Sequence, residues 1–260
     1  MKRKHVYLAV MAVTAGLTAF ITGCGVPVTG SGRLETREMD FSDFSKVEIG
    51  SSFEATVTRG DSYRVSITLD DNVWDRLEAN QEGDTLRVGL KQPSLYIHVT
   101  QKVDITAPAL EALSLSGASK GTASGFSSAQ PLAANVSGAS SLDIDNVRAG
   151  DAELDVSGAS RLTGSVGIQD GELKVSGAST VDLEGSGANV DIEASGASHA
   201  NLADFAVADA GVTLSGASSA TVNASGRLDV NVSGASRLEY IGNPTLGSVE
   251  VSGASTIKKR

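Results

Sequence analysis

The chain has 260 residues, of which 40% are hydrophobic but only 4% aromatic, with 29 glycines, one tryptophan and one cysteine. That aliphatic content excludes a wholly disordered chain, and so few aromatics exclude an ordinary aromatic-centred globule. One cysteine and three histidines leave no internal disulfide and little for a zinc or other metal centre, and no cofactor is implied. The formal charge of −10 argues against nucleic acid as the main partner, because phosphate binding needs a basic face.

Lys2, Arg3 and Lys4 open the chain, an apolar run from Val6 to Ile21 comes next, and Ile21-Thr22-Gly23-Cys24 ends it. This is the layout of a secretory signal, although the run is also near the lower limit for a membrane-spanning helix. Ile-Thr-Gly-Cys resembles the lipobox of bacterial lipoproteins, and the resemblance implies that the Cys24 thiol takes a diacylglycerol before cleavage leaves Cys24 first. Residues 1–23 are therefore expected to be a lipoprotein signal peptide, with an uncleaved helical anchor as the alternative. Either way residues 25–260 lie outside the cytoplasm, attached to a bacterial membrane. Removing residues 1–23 takes away three positive charges and no negative ones. Anionic lipid then repels the remaining body, so attachment must come from the acyl chains on Cys24. Residues 24–34 include Gly25-Val-Pro-Val-Thr-Gly-Ser-Gly32 and, lacking periodicity, read as the lipidated cysteine and a flexible tether.

Residues 35–110 alternate apolar and polar in short runs that predict strands at Lys46–Ile49, Phe53–Val57, Tyr63–Leu69, Thr85–Leu90 and Leu95–Val99. Asp70–Leu77 reads as one short helix with acidic capping residues. Most aromatics of the body lie in this segment, which is expected to cap the open end of a solenoid over residues 111–260 or to form its wider first coils. Trp74 is expected to pack against that cap.

In residues 111–260 one tetrapeptide, Ser-Gly-Ala-Ser, starts at Ser116, Ser137, Ser157, Ser176, Ser195, Ser215, Ser233 and Ser252. A period of about 20 residues belongs to solenoids in which each unit is one coil. Three residues before each first serine stand Leu113, Ala134, Leu154, Leu173, Ile192, Val212, Val230 and Val249, and one before it Leu115, Val136, Val156, Val175, Ala194, Leu214, Val232 and Val251. A polar column lies between them, which is the period of two of a strand with one buried face. The alternation resumes after the motif, five and seven residues past the first serine. Each coil thus offers about four inward aliphatics, and only stacked coils can bury them. The fold class is all-β: a single-chain β-solenoid, expected to be a right-handed parallel β-helix, preceded by a β-rich capping segment.

Small side chains and a glycine in the tetrapeptide suit a sharp change of direction. If the strand is merely bent there, the last serines, Ser119, Ser140, Ser160, Ser179, Ser198, Ser218, Ser236 and Ser255, point inward as a hydroxyl ladder. If the motif is a true corner, that ladder faces water.

The Lys46-Val-Glu-Ile49 strand, Arg59-Gly-Asp61, Asp84-Thr-Leu-Arg-Val88 and Ile105-Thr-Ala-Pro-Ala-Leu110 leading into Leu113-Ser-Leu-Ser-Gly-Ala-Ser119 resemble the head GIN domain of auto-transporter adhesins over about residues 40–258. The resemblance implies a β-helical extracytoplasmic domain. It carries over no functional residues.

For catalysis, outward carboxylates stand two apart at Asp143 and Asp145, Glu153 and Asp155, Asp182 and Glu184, and Asp191 and Glu193, and stacking brings Glu153, Glu172 and Asp191 into one column. A glycosidase or lyase would need such pairs in a cleft. Outward strand positions also favour acids simply for solvation, with a surface calcium site as the alternative. No nucleophile elbow, phosphate loop or dinucleotide fingerprint is present. His98 and His199 could serve as bases, but His98 alternates within the Leu95–Val99 run and His199 stands in a variable surface column with Lys120, Ser141, Arg161 and Thr180, and Arg59-Gly-Asp61 matches a cell-attachment tripeptide at a hairpin tip. No catalytic, cofactor or metal residue is assigned, and Cys24 is the one assigned site. The expected function is non-enzymatic: a membrane-tethered adhesion or binding module presenting repeated ladders to an extracellular glycan or cell-wall polymer. The alternative is a structural or self-assembling envelope solenoid, against which Lys258, Lys259 and Arg260 place three cations just after the last coil.

Overall fold

Two strands per repeat build two sheets. In the computed structural model, which describes residues 27–91 and 95–260, the strand before each Ser-Gly-Ala-Ser joins an eleven-stranded front sheet. The strand after it joins a twelve-stranded back sheet. Residues 1–23 and Cys24 lie outside the described residues. Equivalent residues of successive coils pair in parallel: Leu113 with Ala134, Ala134 with Leu154, Leu154 with Leu173 and Leu173 with Ile192. The back sheet does the same, Leu142 lying beside Leu162 and Leu162 beside Val181. The fold is a β-solenoid of about twenty residues per lap.

The inward columns read from the sequence are buried from Leu113 to Leu238, apart from the half-buried Gly164. The core is wider than four side chains per lap. Leu132, Ala152, Val190, Ala210 and Leu228 add a further column on the front strands, and Phe126, Val147, Val166, Phe205 and Val207 fill the corner opposite the tetrapeptide. Alternation misses this second corner because the register shifts there, between Ile144 and Val147, Asp182 and Glu184, and Leu202 and Ala206. Bulges absorb the variation in repeat length on that side, and the tetrapeptide side stays constant.

The tetrapeptide is a true corner, yet its last serine points inward, so the two expectations are separated by the structure. Its glycine takes φ between 70° and 79° at Gly138, Gly158, Gly177, Gly196, Gly216, Gly234 and Gly253. That left-handed residue turns the chain from one sheet to the other and resets the side-chain phase. Glycine and alanine are exposed, and Ser119 through Ser236 are at most 2% exposed. A side chain on the glycine would also strike the backbone of the glycine one lap below. That carbonyl instead receives the next alanine amide, as from Ala159 to Gly138 at 2.9 Å and from Ala178 to Gly158 at 2.8 Å.

Residues 46–59 form a lap of the same kind. Lys46–Ile49 and Glu54–Arg59 are joined by Gly50-Ser51-Ser52-Phe53 in place of the tetrapeptide, with Ser51 and Ser52 at φ 58° and 64°. Spatial order departs from chain order here. Ala112–Leu115 stacks on one side of Lys46–Ile49 and Thr85–Leu90 on the other, while Gln101–Ala107 lies beside Glu54–Arg59. Leu77–Glu82 and Arg64–Asp70 then add antiparallel strands, and Leu34–Met39 ends the back sheet.

A 3-10 helix, Asp71–Arg76, crosses from one sheet to the other and closes this end. Its preceding Asp70 makes no side-chain cap bond. Asp70 is buried and accepts the Gly32 amide at 2.6 Å and the Thr100 amide at 2.7 Å. Val28–Thr29 pairs with Tyr96–Ile97. The stretch that reads as tether is therefore laid against the cap from Val28 onward, and the strand expected over Leu95–Val99 shrinks to two residues. Trp74 packs against the core with the Arg37 guanidinium 4.1 Å above its ring. At the far end, Thr245–Val251 and Thr256–Lys259 are the last strands of the front and back sheets.

Candidate functional site

The outward residues of each sheet stand in file along the stack, so each face is a set of columns. On the front face Glu153, Glu172 and Asp191 are direct neighbours, as the sequence spacing requires, and the column continues through Gly211 to Asp229. Beside it run Asp155, Lys174 and Glu193. The Lys174 ammonium lies 2.6 Å from Glu172 and 3.8 Å from Glu153, and the Glu172 carboxylate raises its pKa. Arg227 similarly clasps Asp229 at 2.6 Å. Asp229 also accepts the Ser248 amide, and these bonds, led by the guanidinium, lower its carboxyl to about 2. The face is acidic, and these two cations on it are held in ion pairs.

One groove of about 570 Å³ crosses the front face where Ala112 and Ala133 replace longer side chains between Lys46 and Glu153. Lys46 is held by Asp84 at 2.9 Å. Sequence reasoning missed this groove because Lys46 and Ala112 are lap neighbours separated by the whole cap. The similar alternation of Lys46–Ile49 and Ala112–Leu115 was the available signal.

The back face has a different chemistry. One column runs Lys120, Ser141, Arg161, Thr180, His199, Ser219, Arg237 and Thr256. The next runs Thr122, Asp143, Thr163, Asp182, Asn201, Thr221, Glu239 and Lys258. Neighbouring rungs bond each other: Thr163 donates to Asp143 at 2.8 Å, Asn201 donates to Asp182 at 2.8 Å, and His199 Nδ1 lies 2.7 Å from the Ser219 hydroxyl. Lys120, Arg161 and Arg237 are exposed. A shallow groove of about 430 Å³ lies along Thr56, Thr122, Ser141, Asp143, Arg161 and Thr163.

The carboxylate pairs named as catalytic candidates lie on these faces: Glu153 and Asp191 line the front-face groove, and Asp191 and Glu193 together line a further open groove of about 530 Å³ that reaches Asp229 and Glu250. Asp143 and Asp182 serve the rung contacts, and Glu153 flanks Lys174. No group of three potential metal ligands is brought together among the described residues. His98 lies in the cap at φ 51°, away from His199. Arg59 and Asp61 pair with each other at 2.8 Å, so the attachment tripeptide closes on itself. No helix among the described residues is long and apolar enough to cross a membrane.

Solved structures share this architecture, three of them as follows. A protein of Parabacteroides distasonis titled "putative lipid binding protein" has a TM-score of 0.82 at 21% identity, over 90% of this chain and 100% of that one. A "putative adhesin" of the same organism has a TM-score of 0.83 at 17% identity over the same shares. One from Parabacteroides merdae has a TM-score of 0.77 at 19% identity over 90% and 98%. No curated protein matches the sequence. At these identities the likeness shows the fold. The family model described as "Putative auto-transporter adhesin, head GIN domain" matches residues 43–244, from the first lap to the edge of the last, and the chain belongs to that family.

Proposed function

We propose that this protein is a non-enzymatic binding module of the bacterial cell envelope, tethered through lipid on Cys24, whose back face holds an extended extracellular glycan or cell-wall polymer. The observation that supports the reading most is the paired back-face columns, which carry polar or charged side chains at every strand step of about 4.8 Å and a serine or threonine hydroxyl at six of the eight steps. A linear polymer with several hydroxyls per unit meets a hydrogen-bonding partner at each lap. The acidic front face disfavours polyanions. The core aromatics Phe126 and Phe205 face inward, so recognition on the ladders rests on hydrogen bonds. The family's description as adhesins agrees with a surface-exposed binding role.

The test is retention of residues 27–260 on an array of extracellular glycans and on whole cells. Binding to at least one polymer is expected, and a Lys120→Ala, Arg161→Ala variant is expected to lose about ten-fold in affinity with an unchanged melting temperature, about 1.4 kcal/mol from two exposed groups beside the back-face groove. No retention on any polymer, or full retention by the variant, removes the back-face reading.

A further inference from the structure

The two ends of the solenoid are unlike. The cap end is closed by the helix Asp71–Arg76 and by charged pairs such as Arg64 with Glu38 and Arg87 with Glu82. At the tip no strand among the described residues pairs with the outer side of either terminal strand. The inward columns reach the surface there, with Leu246 48%, Val249 44% and Val251 50% exposed. Exposed apolar side chains together with free strand edges form a template for another strand.

The phase of the backbone restricts what fits. The Ser252 amide donates to Val232 on the strand below, and in a parallel ladder alternate residues bond to opposite sides. Glu250 therefore shares the downward phase, and Val249 and Val251 direct their amides and carbonyls outward. On the back sheet the Thr256 and Arg260 amides donate downward to Ser236 and Tyr240, so Ile257 and Lys259 face outward.

We infer that the partner at the tip is a second copy of this chain, joined tip to tip about a two-fold axis parallel to the strands. Such an axis lays Thr245–Val251 of one copy antiparallel to Thr256–Lys259 of the other and keeps the two tetrapeptide corners at the same end. Val251 then meets Ile257 and Val249 meets Lys259, which are the residues with free backbone groups on both sides, and antiparallel pairing bonds residues directly opposite each other in this way. The same register places Glu250 opposite Lys258, both in outward columns. The Val251–Ile257 contact, the hydrogen-bond phase and the Glu250–Lys258 charge pair thus agree in a single register, with the Lys259 ammonium held by Asn243 Oδ1 at 2.6 Å. The terminal cations oppose a back strand meeting its own copy, and they match a front strand carrying Glu250.

The contact is small. A two-strand end roughly 20 Å long and roughly 20 Å across offers about 400 Å² per copy, which suits a weak, concentration-dependent dimer. The cap lies at the far end of each copy, so a dimer carries its two N-terminal segments at opposite extremes. If the chain is tethered through Cys24, as proposed for its function, the dimer joins two facing surfaces.

Sedimentation of residues 27–260, which contain the whole described core, tests the dimer without reference to any ligand. A monomer–dimer equilibrium that stops at two copies is expected, with a maximum dimension in small-angle scattering about twice that of the monomer. Glu250→Lys or Lys258→Glu alone weakens it by roughly two- to twenty-fold, and the two together restore it. Val251→Lys, at an already exposed position, abolishes it while the melting temperature holds. Beads coupled through the N-terminal end of the chain clump with the parent sequence and stay dispersed with Val251→Lys. A strict monomer at millimolar concentration, open-ended polymers, or a double reversal that fails to restore pairing overturns the inference. Polymer binding by the monomeric Val251→Lys variant is read separately and bears only on the back-face proposal.

Discussion

Each Ser-Gly-Ala-Ser position has its own physical requirement. The glycine combines a left-handed φ with a close approach to the lap below, so Gly177→Ala is expected to cost about 2 kcal/mol or more, read by chemical denaturation. The buried serines are not equivalent. The Ser218 hydroxyl donates to the Ala194 carbonyl at 3.1 Å and lies 3.4 Å from the Ser236 hydroxyl, whereas the Ser160 hydroxyl has no partner among the described residues. Ser218→Ala should therefore cost about 1 kcal/mol, and Ser160→Ala should fall within about 0.5 kcal/mol of zero or stabilise, because an unpaired buried hydroxyl carries its desolvation cost already. Equal losses at both positions would contradict these unequal bonding patterns. The inward direction of these serines was only half legible in the sequence. Counting by twos reaches them, but a left-handed glycine lets the chain turn a corner and keep them inside, and no column of residue types reveals φ.

At the level of the element, alternation identifies strands because burial on one face of a sheet has a period of two, and Leu113 through Leu238 obey it. It fails where the backbone departs from that period. The Ile144–Val147 bulge shifts Val147 into the core, and Asp70 holds Gly32 and Thr100 across the cap instead of capping a helix. The last front strand shows the same interplay. The register slips between Leu228 and Val230, and Asp229 fills the gap by accepting the Ser248 amide. Its carboxyl is lowered from 3.8 to about 2, chiefly by Arg227. A depressed folded-state pKa means that this contribution is complete above about pH 4 and is lost as the pH falls toward 2. Exchange protection at Ser248 should weaken across that window. Asp229→Asn should remove the pH dependence of this amide, and a variant as acid-sensitive as the parent would exclude Asp229 as its cause.

The whole molecule separates its properties by direction. Charge differs between front and back, and closure differs between cap and tip. The solenoid and its pitch were legible because one motif recurs at near-constant spacing. The front-face groove and the placement of residues 46–59 between later laps were not, since both depend on contacts between segments with no shared motif. Every Ser-Gly-Ala-Ser junction joins the same two sheet ends, so the domain is modular in height. Excising residues 158–176 would fuse Ser157 to Gly177 as an intact junction and set Leu142 over Val181 and Glu153 over Asp191. The shortened protein should fold cooperatively with about 4.8 Å less reach and both ends unaltered, measurable by scattering. Excising half as many residues should prevent folding. The height of the solenoid would then be a quantity that lineages adjust in whole steps by duplicating or losing a lap, without redesigning either extremity.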